Sequence, residues 1–117
     1  MNPTVLIINQ QLKHQLQLQE VLEVRGFRVL TARDGAEALT VVATEQVDVV
    51  LAETQSSWMG PDELAQELAK FWPDLPLVFI APKAVQVPGQ LVVLPTTPAQ
   101  LADVLLSALR VPLPIAA

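Results

Sequence analysis

A chain of 117 residues with 51% hydrophobic content and a mean hydropathy of +0.41 has one domain's length and enough apolar side chains for a sheet covered on both faces. It contains no cysteine, which excludes a disulfide framework and a thiolate metal cluster, and seven basic against twelve acidic residues leave a net charge of −5 that would repel a phosphate backbone, so nucleic acid is not an expected partner. No apolar run approaches the roughly 20 residues of a spanning helix, and no basic, cleavable leader precedes the first strand; a cytoplasmic location with no membrane partner is expected.

The chain opens on Val5-Leu6-Ile7-Ile8, a short apolar run suited to a buried parallel strand. A helix should follow from about Gln11 to Arg25, with Leu12, Leu16, Val21 and Leu22 turned inward and Gly26 as its left-handed stop. Phe27 to Leu30 is the second strand. Asp34 and Glu37 have capping-box spacing for a second helix that places Ala38, Leu39 and Val42 on the sheet. Val47 to Ala52 is the third strand, and Pro61, Asp62 and Glu63 suit the first turn of a third helix. Leu77 to Ile80 and Leu91 to Leu94 are the fourth and fifth strands. Thr97-Pro98 opens a last helix with a stripe of Leu101, Val104, Leu105 and Ala108. The alternation predicts a doubly wound parallel α/β sheet over residues 1–110, with 111–117 an extended tail or the start of a linker.

One connection breaks the rhythm. Pro82 to Gln90 holds two prolines and a glycine, and proline inside a helix costs about 3 kcal/mol and glycine about 1 relative to alanine, so at most one helical turn fits between strands four and five. Apolar surface on those two strands must then be covered by the loop or by another chain.

In an open α/β sheet, ligands bind at the C-terminal ends of the strands. Here those ends carry Asn9-Gln10, Glu53, Ala81 and Leu94, which is little chemistry. The four glycines form no phosphate-cradling pattern, and Thr54, Ser56 and Ser57 have no base beside them in sequence. His14 reads as an exposed side chain near a helix start, and Asn9 as a cap for the first helix. Trp72, before Pro73, should pack at the domain edge. Trp58 lies in the loop after strand three and is either an exposed partner anchor or a cover for the site beneath it.

The segments VLIINQQ, RGFRVLTARDGAEAL, VDVVLAETQSSWMGPDELAQEL, PLVFIAP and LVVLPTTPAQL together resemble a bacterial response-regulator receiver domain over nearly the whole chain. Gly26-Phe27, Thr31-Ala32 followed by Asp34-Gly35-Ala36-Glu37-Ala38-Leu39, and Asp48 carry the resemblance most specifically. It implies a flavodoxin-like five-stranded sheet of order 2-1-3-4-5, with the helix between strands four and five shortened or missing.

The resemblance also implies a phosphorylation pocket, and each position can be tested. Two acids that would hold Mg²⁺ fall on Asn9 and Gln10, whose neutral amides cannot supply two charges. The phosphoacceptor aspartate falls on Glu53, one methylene too long for a transfer that depends on positioning. Its switch hydroxyl falls on Ala81, its lysine on Leu94 and its rotating aromatic on Leu91. Glu53 is then either a fixed phosphomimic or a solvated carboxylate. A cis bond before Pro95 is a further implication.

The expectation is a non-enzymatic pseudo-receiver, with no metal or cofactor, that binds a protein partner or a second copy as a homodimer. Trp58, Val85, Val87, Leu91, Ala102 and Leu106 form the candidate interaction surface, with Ala102 and Leu106 on the last helix facing away from its core stripe. The alternatives are a flavin- or nucleotide-binding module and a regulatory domain excised from a longer signalling protein.

Overall fold

The computed structural model describes residues 2–54, 59–94 and 96–110. Trp58, the bond before Pro95 and the tail 111–117 lie outside them. Among the described residues the elements run β1 (Thr4–Ile8), α1 (Leu12–Val24), β2 (Arg28–Ala32), α2 (Gly35–Thr44), β3 (Val49–Glu53), α3 (Pro61–Ala69), β4 (Leu77–Ala81), β5 (Gln90–Val93) and α4 (Pro98–Arg110). The five strands pair in parallel in the order β2-β1-β3-β4-β5, as expected.

Strands buried on both sides divide their side chains between two cores, because successive residues point to opposite faces. Val5, Ile7, Val49, Leu51, Val78, Ile80 and Val92 join Leu22 of α1 and Leu101, Leu105 and Ala108 of α4. Leu6, Ile8, Val50, Ala52 and Phe79 join Ala38 and Val42 of α2 and Leu64 and Leu68 of α3. Trp72 packs at the margin of the second core, as expected, with its ring edge-on to Phe71 at 5.7 Å. At the same end of the sheet the Thr4 amide donates to Asp48 Oδ2 (2.7 Å) and the Asp48 amide to the Thr4 carbonyl (2.9 Å), which fastens the start of β1 to the residue before β3.

The helix ends follow their residues. Gly26 takes φ +96° after α1, a region that L side chains rarely adopt, and so ends the helix. Asp34 Oδ1 accepts from the Glu37 amide at 2.9 Å, while the Glu37 carboxylate turns to Arg33 (3.4 Å). At the start of α4, Thr97 Oγ1 accepts from the Gln100 amide (3.1 Å) and Gln100 Oε1 accepts from the Thr97 amide (3.2 Å), a reciprocal capping box that the sequence reading missed.

Two helical faces differ from expectation. Leu12 and Leu16 of α1 are 65% and 53% exposed, and the buried positions are Gln15 and Leu22, with Leu18 against the core. At 3.6 residues per turn, moving the inward line by one residue rotates the face by about 100°, enough to exchange Leu16 for Gln15. The buried Gln15 is satisfied, since its Nε2 donates to the carbonyls of Ala32 (3.0 Å) and Asn9 (3.4 Å). On α4, Ala102 is buried and Leu106 packs against the first core, so neither forms an outward rim. The small Ala102 lets the helix lie close to the sheet, which widens the buried stripe.

Between β4 and β5 the eight residues 82–89 form no helix. Length alone requires this. The connection must return along a strand of about 16 Å, and eight helical residues would rise only about 12 Å, whereas the same residues extended reach up to about 28 Å. The extended chain crosses the second face directly. A Cβ on Gly89 would meet the Leu77 carbonyl oxygen at 2.8 Å and Phe79 Cε2 at 3.4 Å, so the backbone lies on the Phe79 ring. Val87 and Leu91 close the remainder, and Phe79 is 0% exposed. Much of the surface expected to be open is therefore covered, although Val85, Val93 and Leu94 stay exposed.

Candidate functional site

The C-terminal ends of β1, β3 and β4 converge with the start of α4 on a cavity of about 320 Å³, closed on one side by α1. Asn9, Glu53, Ile80 and Leu94 come from or follow the strands; His14, Gln17, Leu18 and Val21 come from α1; and residues 96–98 with Leu101 come from the α4 end. Of the five strand-end positions, Asn9, Glu53 and Leu94 therefore share one cavity. Gln10 lines a separate cleft with Leu12, Thr31 and Glu37, and Ala81 is buried in β4.

Asn9 is not the cap of α1, which begins after Gln11. It is 3% exposed, and its Oδ1 accepts from the Gln11 amide at 2.8 Å, a turn two residues long that forms before the helix starts. Its own amide donates to the Ala32 carbonyl (3.0 Å), and its carbonyl accepts from Gln15. Every polar group of Asn9 that these bonds involve is thus already engaged in fastening the strand end.

Glu53 is the last residue of β3, and among the described residues its carboxylate has no hydrogen-bond partner. Burial pushes that carboxyl above its ordinary range, while the charge of His14 pulls it the other way. His14 is exposed, as expected, yet it lines the cavity with Glu53. Sequence reasoning missed this pairing because the two lie on different elements and only the packing of α1 over the end of β3 brings them together.

The donor set does not fit Mg²⁺, the ion implied by the resemblance, which needs carboxylate oxygens in octahedral geometry. Among the described residues Glu53 is the one acid lining the cavity, and the Asn9 side-chain oxygen is already occupied. Among the described residues no three of His, Asp and Glu come together as a metal site. None of the described helices is long and apolar enough to cross a membrane.

No family model matches the chain. Among curated proteins it is 29% identical over 76 residues to the transcriptional regulatory protein ZraR of Klebsiella oxytoca and 34% identical over 55 residues to the transcriptional regulatory protein GlrR of Escherichia coli K12. Those stretches cover 65% and 47% of this chain but only 17% and 12% of the relatives, so the chain corresponds to a small part of each. Among solved structures it superposes on the signal receiver domain of an HD-domain-containing protein from Pseudomonas fluorescens Pf-5, with a TM-score of 0.83 at 19% identity over 94% of this chain and 96% of that one. The chemotaxis protein CheY4 of Vibrio cholerae gives 0.85 at 19% identity, covering 92% of this chain and 99% of that one. A receiver domain from Methanospirillum hungatei JF-1 gives 0.84 at 18% identity over 94% and 95%. Sheet order, helix placement and these superpositions agree: the chain has the fold of the response-regulator receiver domains.

Proposed function

We propose that this domain is a pseudo-receiver of bacterial two-component-type signalling, one that is not phosphorylated, is not an enzyme and works by binding protein. The observation that carries this is the composition of the strand ends. Glu53 stands without a second acid, Asn9 is spent on its own turn, Ala81 offers no hydroxyl and Leu94 no ammonium. Phosphoryl transfer relies on positioning and charge neutralisation, and a site without metal ligands or lysine supplies neither. Incubation with Mg²⁺ and acetyl phosphate is expected to give no stable adduct by intact mass, and Glu53→Asp alone is expected to behave the same. A gain of one phosphoryl group mapped to residue 53 would overturn the proposal.

The interaction surface in this reading is the β5 edge with the connection before it, where Val85, Val93 and Leu94 are exposed beside half-buried Val87 and Leu91. β5 is an end strand of the sheet, and an end strand with apolar side chains is a template for pairing, most simply with a second copy. Val93→Glu is expected to abolish self-association in sedimentation equilibrium. A wild type that stays monomeric at high micromolar concentration, or a dimer indifferent to that charge, counts against the surface. Leu106 is unsuited to this test, because it packs on the core.

A second reading, a regulatory domain excised from a longer protein, is favoured by one observation: the curated relatives are transcriptional regulators of which the matched stretch is a small part. Residues 1–110 would then form the domain and 111–117 the start of a linker. Sequencing outward from the gene would decide it. The flavin or nucleotide alternative is weakened by the absence of lysine and arginine from the cavity lining, and absorbance of the purified protein tests it.

A further inference from the structure

The cavity between α1 and α4 is set apart from the β5 edge by its lining. Its walls are mostly aliphatic, from Leu18, Val21, Ile80, Leu94 and Leu101, and its volume of about 320 Å³ is in the range of small-ligand pockets. Among its lining residues there is one carboxylate, Glu53, one imidazole, His14, and no lysine or arginine. The helix end that borders it would ordinarily favour an anion, but most of its first donors are spent: Pro98 has no N–H, and the amides of Thr97 and Gln100 are each taken by the other's side chain. Asn9 is likewise occupied by the turn after β1. Glu53 is the one carboxylate in that lining, and among the described residues its side chain makes no hydrogen bond.

We infer that this cavity is a binding site for a small organic cation with an apolar body, an aromatic or alkyl amine or amidine, whose charged end pairs with Glu53 while its body fills the aliphatic walls. A carboxylate in partly desolvated surroundings gains from a cation that brings charge to it. An anion would meet the Glu53 carboxylate, which His14 offsets only from an exposed position. A neutral ligand of the same shape would gain only the apolar contacts. The net charge of −5 attracts cations to the whole surface as well.

Benzamidine, benzyl alcohol and benzoate share a ring and differ in charge, which makes them suitable probes. Each is titrated into the full chain and followed by methyl and amide NMR shifts. Saturable benzamidine binding is expected, with shifts centred on Leu18, Val21, Leu94 and Leu101, and benzoate is expected to bind at least about tenfold more weakly, a difference of ~1.4 kcal/mol. In Glu53→Gln the benzamidine affinity should fall to that of benzyl alcohol, while the alcohol itself binds as before. The unchanged alcohol affinity shows that the variant is folded and its cavity intact. Lack of saturation by benzamidine, equal binding of benzoate, shifts that map elsewhere, or a Glu53→Gln variant that still prefers the cation would each overturn the inference. None of these outcomes depends on whether the protein self-associates or resists acetyl phosphate.

Discussion

The two faces of β4 are covered by opposite means, and the less regular cover fits more closely. On the first face, Val78 and Ile80 share a core with the regular helices α1 and α4, yet these leave between them an open-sided cavity of about 320 Å³. On the second face α3 contributes Leu64 and Leu68, but no helix follows β4, only residues 82–89, yet Phe79 is fully buried and the backbone at Gly89 passes at the limit of contact. Closeness of packing depends on side-chain size and backbone approach, and helices guarantee neither. A phenylalanine in the strand, with a glycine above it, completes beside α3 the cover that a second helix would otherwise supply.

The largest expected effect tests whether the loop is a true cover. Phe79→Ala should cost about 3–5 kcal/mol, no less than the ~2–5 kcal/mol of Ile80→Ala on the helix side. Chemical denaturation of both variants reads the difference, and a Phe79→Ala variant that is clearly the milder one would break the comparison. Gly89→Ala comes next. Its methyl group would lie 2.8 Å from the Leu77 carbonyl oxygen, and overpacking of this kind costs about 1–3 kcal/mol, measurable as a lowered Tm.

Adding atoms on the helix side should have the opposite sign. Val21→Leu extends into the cavity, and cavity filling commonly yields about 0.5–2 kcal/mol, so a modest rise in Tm is expected where Gly89→Ala gives a fall. The smallest effect concerns Glu53. A carboxyl whose pKa is raised by folding favours the folded state while protonated, and this contribution is lost as pH rises through the folded pKa. Glu53→Gln should therefore be slightly more stable than the parent at neutral pH, and the advantage should fade on acidification. Thermal melts across that range check the sign.

The sheet was legible in sequence because parallel strands buried on both faces are short runs of Val, Ile and Leu, whose assignment survives errors of a residue or two at each end. β2 and β3 in fact begin later than expected, with no change in order. Helix faces are less forgiving. Leu12 and Leu16 looked like the inward stripe of α1, and the bonds that seat Gln15 there run to Asn9 and Ala32, which are distant positions for a local pattern. Asn9 presented the same difficulty, since an asparagine before a helix caps it or makes a turn ahead of it depending on where the helix starts. Gly89 read as a helix breaker; that it also lies on Phe79 is visible only once β4 and β5 are paired. For the site, the identity of the strand-end residues could be read directly, but the meeting of His14 with Glu53 and the separation of Gln10 from Glu53 arise from packing.

The eight-residue connection also separates changes that evolution can reverse from one that it cannot reverse by substitution. Side chains at the strand ends, Asn9, Gln10, Glu53, Ala81 and Leu94, could be exchanged codon by codon without altering the path of the chain. The span from Ala81 to Gln90 is different, because a helix of about 12 Å cannot return along a strand of about 16 Å whatever residues compose it. Only an insertion could restore a helix there, and the added segment would have to displace the extended backbone from Phe79 before anything was gained.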